Sequence, residues 1–204
     1  HAFKGSWHRN FWKNNNPITL ELGCGKGEYT VNLAKFSPEK NFMGIDIKGA
    51  RFWRGAKTAN EQGITNVGFL RTRIEFITSF FAKDEVDEIW ITFPDPQLKT
   101  RRAKKRLTAA GFLNSYQTFL KPEGIIHLKT DSRELHDYTL ALLQFNNIVP
   151  IVAEADLYAS SIVDPVLSIK THYESLFLAE GKKITYLKFT LPQGKTIIEL
   201  PEED

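Results

Sequence analysis

Hydrophobic and polar positions along the chain form short β-branched or aromatic runs that alternate with longer stretches of helical periodicity. The short runs predict strands at Ile18–Leu22, Asn41–Ile45, Val67–Arg71, Asp87–Phe93, Gly124–Lys129 and Ile148–Ala153. The longer stretches predict helices near Glu28–Phe36, Gly49–Gln62, Thr108–Leu120 (capped by Thr108) and Arg133–Phe145. Strands that alternate with helices indicate an α/β fold with a mainly parallel sheet and helices on both faces.

The last part of the chain has a different pattern. Ile184–Thr190 and Thr196–Leu200 flank a short segment that contains Pro192 and Gly194. This spacing predicts a hairpin, so the last strands are expected to be antiparallel. The sequence contains no repeat or linker-like stretch, and its 204 residues suit a single domain over 1–204.

Composition narrows the class of protein. The hydrophobic fraction of 42% and charged fraction of 25% are typical of a soluble globular domain. No apolar run approaches the roughly 20 residues of a membrane span. The single cysteine, Cys24, excludes an internal disulfide and indicates a reducing compartment, so a cytoplasmic protein is expected. The five histidines lack metal-ligand spacing, and no metal site is predicted.

The net charge of +3 is modest, but the positive charge is concentrated in one place. Six of the eight residues from Lys99 to Arg106 are basic. Such a run indicates a localised anionic partner, with a solvated helix face as the alternative.

A glycine-rich turn follows the first predicted strand and indicates a nucleotide-like ligand, or else only a tight strand-to-helix connection. Gly23, Gly25 and Gly27 fall at every second position, which differs from the G-x-G-x-x-G spacing of dinucleotide sites. Glu21 precedes them, and a carboxylate there suits a cationic ligand better than a phosphate. Asp46, 19 residues after Gly27, can accept hydrogen bonds from ribose hydroxyls or can be a simple turn residue. The combination favours S-adenosylmethionine.

The fourth predicted strand ends in Pro94-Asp95-Pro96. The two prolines fix the backbone and direct the Asp95 carboxylate into the cleft, unless the segment is only a β-turn. The basic run follows at once. A carboxylate beside a basic strip suits a base of a nucleic acid, whose backbone is polyanionic.

These motifs together identify a family. In order along the chain, they are Glu21–Gly27, Gly44–Lys48, Phe93–Lys99 with its basic extension, Lys129–Asp131, and Thr171–Glu174 followed by Gly181. From about Pro17 to Phe189 the chain resembles the bacterial tRNA (guanine-N7)-methyltransferases. The resemblance implies the Rossmann-like class I methyltransferase fold, with seven mostly parallel strands and the last one antiparallel. It also implies methyl transfer from S-adenosylmethionine to N7 of a guanosine at position 46, in the tRNA variable loop.

The resemblance further implies roles for individual residues. Asp95 is the expected catalytic residue. The expected cofactor-binding residues are Glu21, Gly23, Gly25, Asp46, Arg73, Ile74 and Asp95. The expected substrate-binding residues are Lys99, Arg101, Arg102, Lys104, Lys105, Asp131, Thr171, His172, Tyr173 and Glu174. The partner is tRNA, with no membrane and no metal, and the protein is expected to be a monomer or a homodimer.

Some positions depart from the family pattern or keep alternatives open. Gln97-Leu98 stands where the family usually has Trp-Pro. Arg73 stands where an Asp or Asn commonly contacts the adenine, and its side chain accepts no hydrogen bond, so a backbone group near Ile74 is expected there. Asp131 and Glu174 are predicted to accept hydrogen bonds from guanine, or else to cap a helix and face solvent in a turn.

The N-terminal segment, residues 1–16, is expected to contact tRNA or to be a mobile end. Trp7 and Trp12 are candidates for stacking on bases, whereas Trp53 is expected to pack within its helix. Two other functions are considered. An NAD-linked oxidoreductase requires the dinucleotide spacing of glycines, which differs from the spacing here. A non-catalytic RNA-binding protein does not require an intact cofactor site, whereas Glu21, the glycines and Asp46 are all present.

Overall fold

The computed structural model describes residues 1–162 and 164–201, and of His172 only the backbone. A seven-stranded sheet in the order β3-β2-β1-β4-β5-β7-β6 forms the centre of the molecule. All neighbouring strands from β3 to β5 are parallel, and β7 pairs antiparallel with both β5 and β6. The strands are β1 (Ile18–Leu22), β2 (Asn41–Asp46), β3 (Val67–Arg71), β4 (Val86–Thr92), β5 (Leu120–Thr130), β6 (Val152–Glu154) and β7 (Thr185–Thr190). The predicted seven-stranded, mostly parallel sheet with an antiparallel last strand is confirmed.

Helices cover both faces of this sheet, as predicted. They are α1 (Glu28–Phe36), α2 (Gly49–Glu61), α3 (Ala110–Gln117), α4 (Arg133–Phe145) and α5 (His172–Ala179). Helices α3 and α4 pack on one face through Leu113 and Leu142, in the larger hydrophobic cluster. Helices α1 and α5 pack on the other face through Leu33 and Phe177. Among the residues that the structure describes, no helix has both the length and the apolar character to cross a membrane.

The predicted hairpin at the end of the chain is wrong, because residues 196–200 form no strand. Both edges of β7 are already occupied by β5 and β6. The backbone of Ile197 bonds instead to the side-chain amide of Asn114, at 2.8 and 2.9 Å. Ile198 bonds in the same way to Asn146, at 2.8 Å in both directions. Two asparagine side chains therefore replace the ladder that a strand would have required.

Smaller differences affect the start of α3 and of β6. Thr108 does not cap α3, because its hydroxyl is buried and bonds to the Thr139 hydroxyl at 2.7 Å, and the cap residue is Ala109. The sixth strand begins at Val152 rather than Ile148, since Pro150 lacks the N–H that a strand pairing needs.

The N-terminal segment packs on the body of the protein through a short π-helix, His8–Trp12. Trp7 and Trp12 are buried in the larger cluster, and the Trp7 indole donates to the carbonyl of Phe80 at 2.8 Å. The expectation that these two rings stack on bases is therefore wrong. Trp53 shows the opposite error, since its side chain is 61% exposed rather than packed.

Candidate active site

A cavity of about 510 Å³ opens where the first four parallel strands end. Gly23 lies just after β1, Asp46 ends β2, Thr72 follows β3 and Phe93 follows β4, and all four line this cavity. Ligands of open parallel sheets bind beyond the carboxyl ends of the strands, and the volume is in the range of small-molecule sites. All the residues predicted to bind the cofactor line it: Glu21, Gly23, Gly25, Asp46, Arg73, Ile74 and Asp95.

The glycine-rich turn forms one wall of the cavity. Gly23, Gly25 and Gly27 have φ angles of 77°, 54° and 75°, in the left-handed region that favours glycine. A Cβ on Gly25 would meet no atom within 4 Å, whereas one on Gly27 would lie 2.5 Å from the Phe69 ring. Gly27 is thus required for packing, and Gly25 leaves open space on the side of the ligand.

Asp46 is held in place by two backbone N–H groups, one in the glycine-rich turn and one just after β2. Its Oδ2 accepts from the N–H of Gly25 at 3.0 Å, and its Oδ1 accepts from the N–H of Lys48 at 2.8 Å. Each carboxylate oxygen has a second lone pair, so the carboxylate can still accept hydrogen bonds from two adjacent hydroxyls. This arrangement suits a ribose.

Glu21 lies at the floor of the cavity, with its side chain buried. The Thr92 hydroxyl donates to it at 2.5 Å, and the Thr30 hydroxyl donates to its other oxygen. Burial raises the pKa of Glu21 to about 7, although the two hydroxyl donors oppose the shift. Glu21 therefore changes its protonation state close to neutral pH.

Another wall of the cavity is formed by the residues after β3, including Arg73 and Ile74. The Arg73 guanidinium bonds to Glu75 at 3.2 Å, and its side chain is 57% exposed. A short 3₁₀ helix begins at Ile74, and the first N–H groups of a helical turn have no partner within that turn. A backbone contact to an adenine near Ile74 stays a prediction.

Asp95 stands at the rim of the cavity on a strained turn. Phe93 and Gln97 on either side have φ angles of 47° and 48°, which residues with side chains rarely adopt. Such conformations cost about 1–3 kcal/mol each and occur preferentially at functional sites. The N–H of Gln97 donates to Asp95 Oδ1 at 3.0 Å, which orients the carboxylate.

The predicted substrate residues divide into two groups. Thr171, Tyr173 and Lys105 line the cavity, and Lys26 lies 5.5 Å from the centroid of the Tyr173 ring. The side chain of His172 lies outside the described part of the chain, and the remaining predicted substrate residues do not line the cavity. Lys99, Arg101, Arg102 and Lys104 are in or next to an exposed helical turn, Thr100–Lys105, and Asp131 pairs with Lys182 at 3.3 Å.

Glu174 differs from its prediction, because its side chain points into the protein. Its carboxylate lies 2.8 Å from the Lys129 ammonium, both side chains are fully buried, and the Tyr158 hydroxyl also donates to it. Lys129 donates in addition to the carbonyls of Leu167 and Ile169, at 3.0 and 3.1 Å. Burial lowers the pKa of Lys129, and the Glu174 carboxylate opposes that shift. Lys129 thus ties α5, through Glu174, and the segment before α5, through the two carbonyls, to the end of β5.

Sequence reasoning missed several residues of the site. Thr92 shares a sheet face with Glu21, because Glu21 is paired with Trp90 in the β1–β4 register, and strand periodicity could have revealed this. Thr30 comes from α1, and no sequence signal links it to Glu21. Gln97 lines the cavity, and its side-chain oxygen is buried with no hydrogen-bond partner among the described residues.

The arrangement combines three chemical properties in one cavity. The glycine turn and Asp46 can hold a nucleoside, Asp95 presents a carboxylate at the rim, and cationic residues such as Lys105 line the same cavity. No group of three or more His, Cys, Asp or Glu side chains within the described ranges could hold a metal ion.

Comparison with known proteins gives concordant matches in sequence. A family model described as "Putative methyltransferase" matches residues 15–187. The tRNA (guanine-N(7)-)-methyltransferase of Christiangramia forsetii is 57% identical over 189 residues, which cover 92% of this chain and 84% of that protein. The enzyme of the same name from Bacteroides thetaiotaomicron is 53% identical over 196 residues, covering 96% and 77%.

Solved structures agree on the fold. The 16S rRNA methyltransferase KamB is similar with a TM-score of 0.68 at 12% identity, over 94% of this chain and 95% of that one. A 30S ribosomal A1408 methyltransferase from an uncultured bacterium has a TM-score of 0.58 at 17% identity, over 89% and 90%. Identities this low show a common fold alone.

Proposed function

The chain belongs to the tRNA (guanine-N(7)-)-methyltransferase family, and on that premise we propose that it transfers a methyl group from S-adenosylmethionine to N7 of a guanosine in tRNA. The methylated guanosine in this proposal is at position 46, in the variable loop. We infer that the reaction takes place in the cytoplasm, because a chain with a single cysteine forms no internal disulfide and suits a reducing compartment.

The cavity fits the cofactor. The open space beside Gly25 leaves room for a ligand against the backbone, and Asp46 retains acceptor capacity for the ribose hydroxyls. Gly23, Gly25, Asp46 and the backbone at Ile74 would hold it, with Glu21 beneath. When bound, the cofactor supplies a methyl group on a positively charged sulfur.

Asp95 supports the chemistry at the guanine. N7 carries a lone pair and needs no deprotonation before it attacks, so a strong base is not required. The methylated ring gains a positive charge, and a fixed carboxylate nearby stabilises that charge as it develops. The strained, doubly proline-flanked turn keeps the carboxylate oriented before the substrate arrives. The remaining acceleration comes from alignment of the two reactants.

The observation that carries this proposal is that Asp95 lines the same cavity as Gly25 and Asp46. Incubation with methyl-labelled S-adenosylmethionine and unmodified tRNA tests it, and incorporation of label into the tRNA is expected. If the protein binds S-adenosylhomocysteine but transfers no label to any tRNA, the proposal is wrong.

A further inference from the structure

Helix α2 carries an exposed aromatic and basic surface, which we call the α2 face and define as Arg51, Trp53, Arg54 and Lys57. All four side chains are exposed, and Trp53 is 61% so. The Lys57 ammonium lies 5.4 Å from the centroid of the Trp53 ring. A single exposed apolar side chain is common on protein surfaces, but an exposed indole flanked by cations combines the two features that bind single-stranded nucleic acid.

Packing within the protein does not account for this exposure. The buried side of α2 is formed by Gly55 and Ala59. A Cβ on Gly55 would lie 3.0 Å from the Cα of Gly27 and 2.9 Å from the carbonyl oxygen of Lys26, so the helix approaches the glycine turn very closely. Trp53 precedes Gly55 by two residues, about 200° around the helix axis. It therefore points away from the protein.

The positive charge of the α2 face is largely uncompensated. Arg51 and Arg54 form no ion pair within the part of the chain that the structure describes. Lys57 pairs with Glu61 at 3.6 Å, but both side chains are exposed, and such pairs are weak. Glu61 is the one acidic residue in the sequence of α2. The surface therefore attracts a polyanion.

The α2 face adjoins the active-site cavity on the side opposite the basic run. Arg51 lines the cavity from α2, and Lys105 lines it from the exposed turn after β4. The strand order places β2 and β3, to which α2 connects, on one side of β1, and places β4 on the other. A polyanion that spans the mouth of the cavity meets cations on both sides.

We propose that the α2 face is a second tRNA-binding surface, in which Arg51 and Arg54 contact backbone phosphates and Trp53 stacks on an unpaired base. The inference rests on the proposed function, since it assigns a further contact to the same substrate. Cations provide most of the affinity for the phosphate backbone, and aromatic rings provide stacking platforms for bases that are not paired. RNA is favoured over other polyanions because the surface continues into the cavity that receives the guanosine.

Binding measurements on the full chain test the inference with the variants Arg54→Glu and Trp53→Ala. The dissociation constant for unmodified tRNA is measured at several salt concentrations, and that for S-adenosylhomocysteine by calorimetry. Arg54→Glu is expected to weaken tRNA binding about tenfold and to reduce the log–log salt slope by about 1 or more. Trp53→Ala is expected to weaken it by about fivefold or more. Cofactor binding and thermal unfolding are expected to be unchanged, because both side chains are exposed.

Lys35→Glu is the matched control, since Lys35 is exposed near the end of α1, about 10 Å along the helix from its cavity-lining start. This variant should bind tRNA as the unchanged protein does. If Arg54→Glu and Trp53→Ala also stay within twofold of the unchanged protein, the α2 face does not bind tRNA and the inference is overturned. If the unchanged protein binds S-adenosylhomocysteine but no tRNA at all, the proposed function fails with it.

Discussion

The hydroxyl of Thr92 donates to the Glu21 carboxylate at 2.5 Å and so joins the ends of β4 and β1 beneath the cavity. Thr30 donates to the other oxygen of the same carboxylate from α1. Glu21 thus connects two central strands and a helix at the floor of the site. Because this carboxyl group is buried, its protonated form is favoured in the folded protein, and its ionised form reduces the stability of the fold.

The stability of the protein should depend on pH through Glu21. The pKa of Glu21 is about 7 in the folded protein, above its ordinary value of 4.5. As the pH rises from about 4.5 to about 7, the unfolded chain loses this proton first, so the free energy of unfolding falls. A Glu21→Gln variant lacks this decrease, and the two proteins should differ on the order of 3 kcal/mol in their change across that window.

Urea unfolding at about pH 5 and about pH 8 measures this difference. Other titrating groups contribute equally to both proteins and cancel in the comparison. If the two proteins lose stability in parallel, Glu21 does not titrate in this window and its assignment as a raised-pKa group is incorrect.

Two glycines of the same turn should respond differently to alanine. In Gly27→Ala, the new methyl group collides with the Phe69 ring at a positive φ, and we expect a loss of about 2–4 kcal/mol in the free energy of unfolding. In Gly25→Ala the methyl group meets no protein atom within 4 Å, so the backbone strain alone costs about 1–2 kcal/mol. Gly25→Ala should instead weaken the binding of S-adenosylhomocysteine.

Denaturant unfolding and calorimetry on both variants separate the two effects. Equal losses of stability would contradict the packing role of Gly27. Undiminished affinity of Gly25→Ala for S-adenosylhomocysteine would show that the cofactor does not lie against Gly25.

The buried pair of Lys129 and Glu174 should be strongly coupled. Lys129→Met leaves a buried carboxylate without its cation, and we expect a loss of about 3–5 kcal/mol in the free energy of unfolding. The double variant with Glu174→Gln should be less destabilised than the sum of the two single variants, because the unpaired charge is gone. A double-mutant cycle in urea measures the coupling, and strict additivity would contradict the ion pair as the structure has it.

Asp95 should affect turnover more than cofactor binding. Asp95→Asn keeps the shape of the side chain but removes its charge, and we expect kcat for methyl transfer to fall roughly 10²-fold. Affinity for S-adenosylhomocysteine should change little. The matched control is Asp137→Asn on the exposed surface of α4, where the side chain is 50% exposed and pairs with Arg133. Steady-state kinetics measure kcat for both variants. If kcat of Asp95→Asn equals that of Asp137→Asn, Asp95 does not take part in the reaction.

Local patterns were sufficient to predict part of the structure. Helices α1 and α4 lie at their predicted bounds, because amphipathic periodicity within one segment determines them. The glycine turn and Asp46 were predicted because their spacing is itself the signal. Long-range partners account for the errors. Asn114 and Asn146 replace the expected last strand, and nothing near residue 197 in the sequence announces them.

Side-chain direction was the weakest part of the sequence-based predictions. Glu174 was expected to face the substrate, but Lys129, 45 residues away, holds it inside the protein. Trp7 and Trp53 each lie within two residues of an arginine in the sequence. One is buried because the N-terminal segment folds back on the core, and the other is exposed because Gly55 occupies the packed side of α2.

Mapping the methyl group on the tRNA tests the proposed reaction. Two transcripts that differ only at position 46, guanosine in one and adenosine in the other, are incubated with methyl-labelled S-adenosylmethionine. Each is then subjected to chain cleavage at N7-methylguanosine. We predict incorporation into the guanosine transcript alone, with one cleavage site in the variable loop. Equal labelling of both transcripts, or label in the guanosine transcript without cleavage at position 46, would exclude N7 of guanosine 46 as the methylated atom.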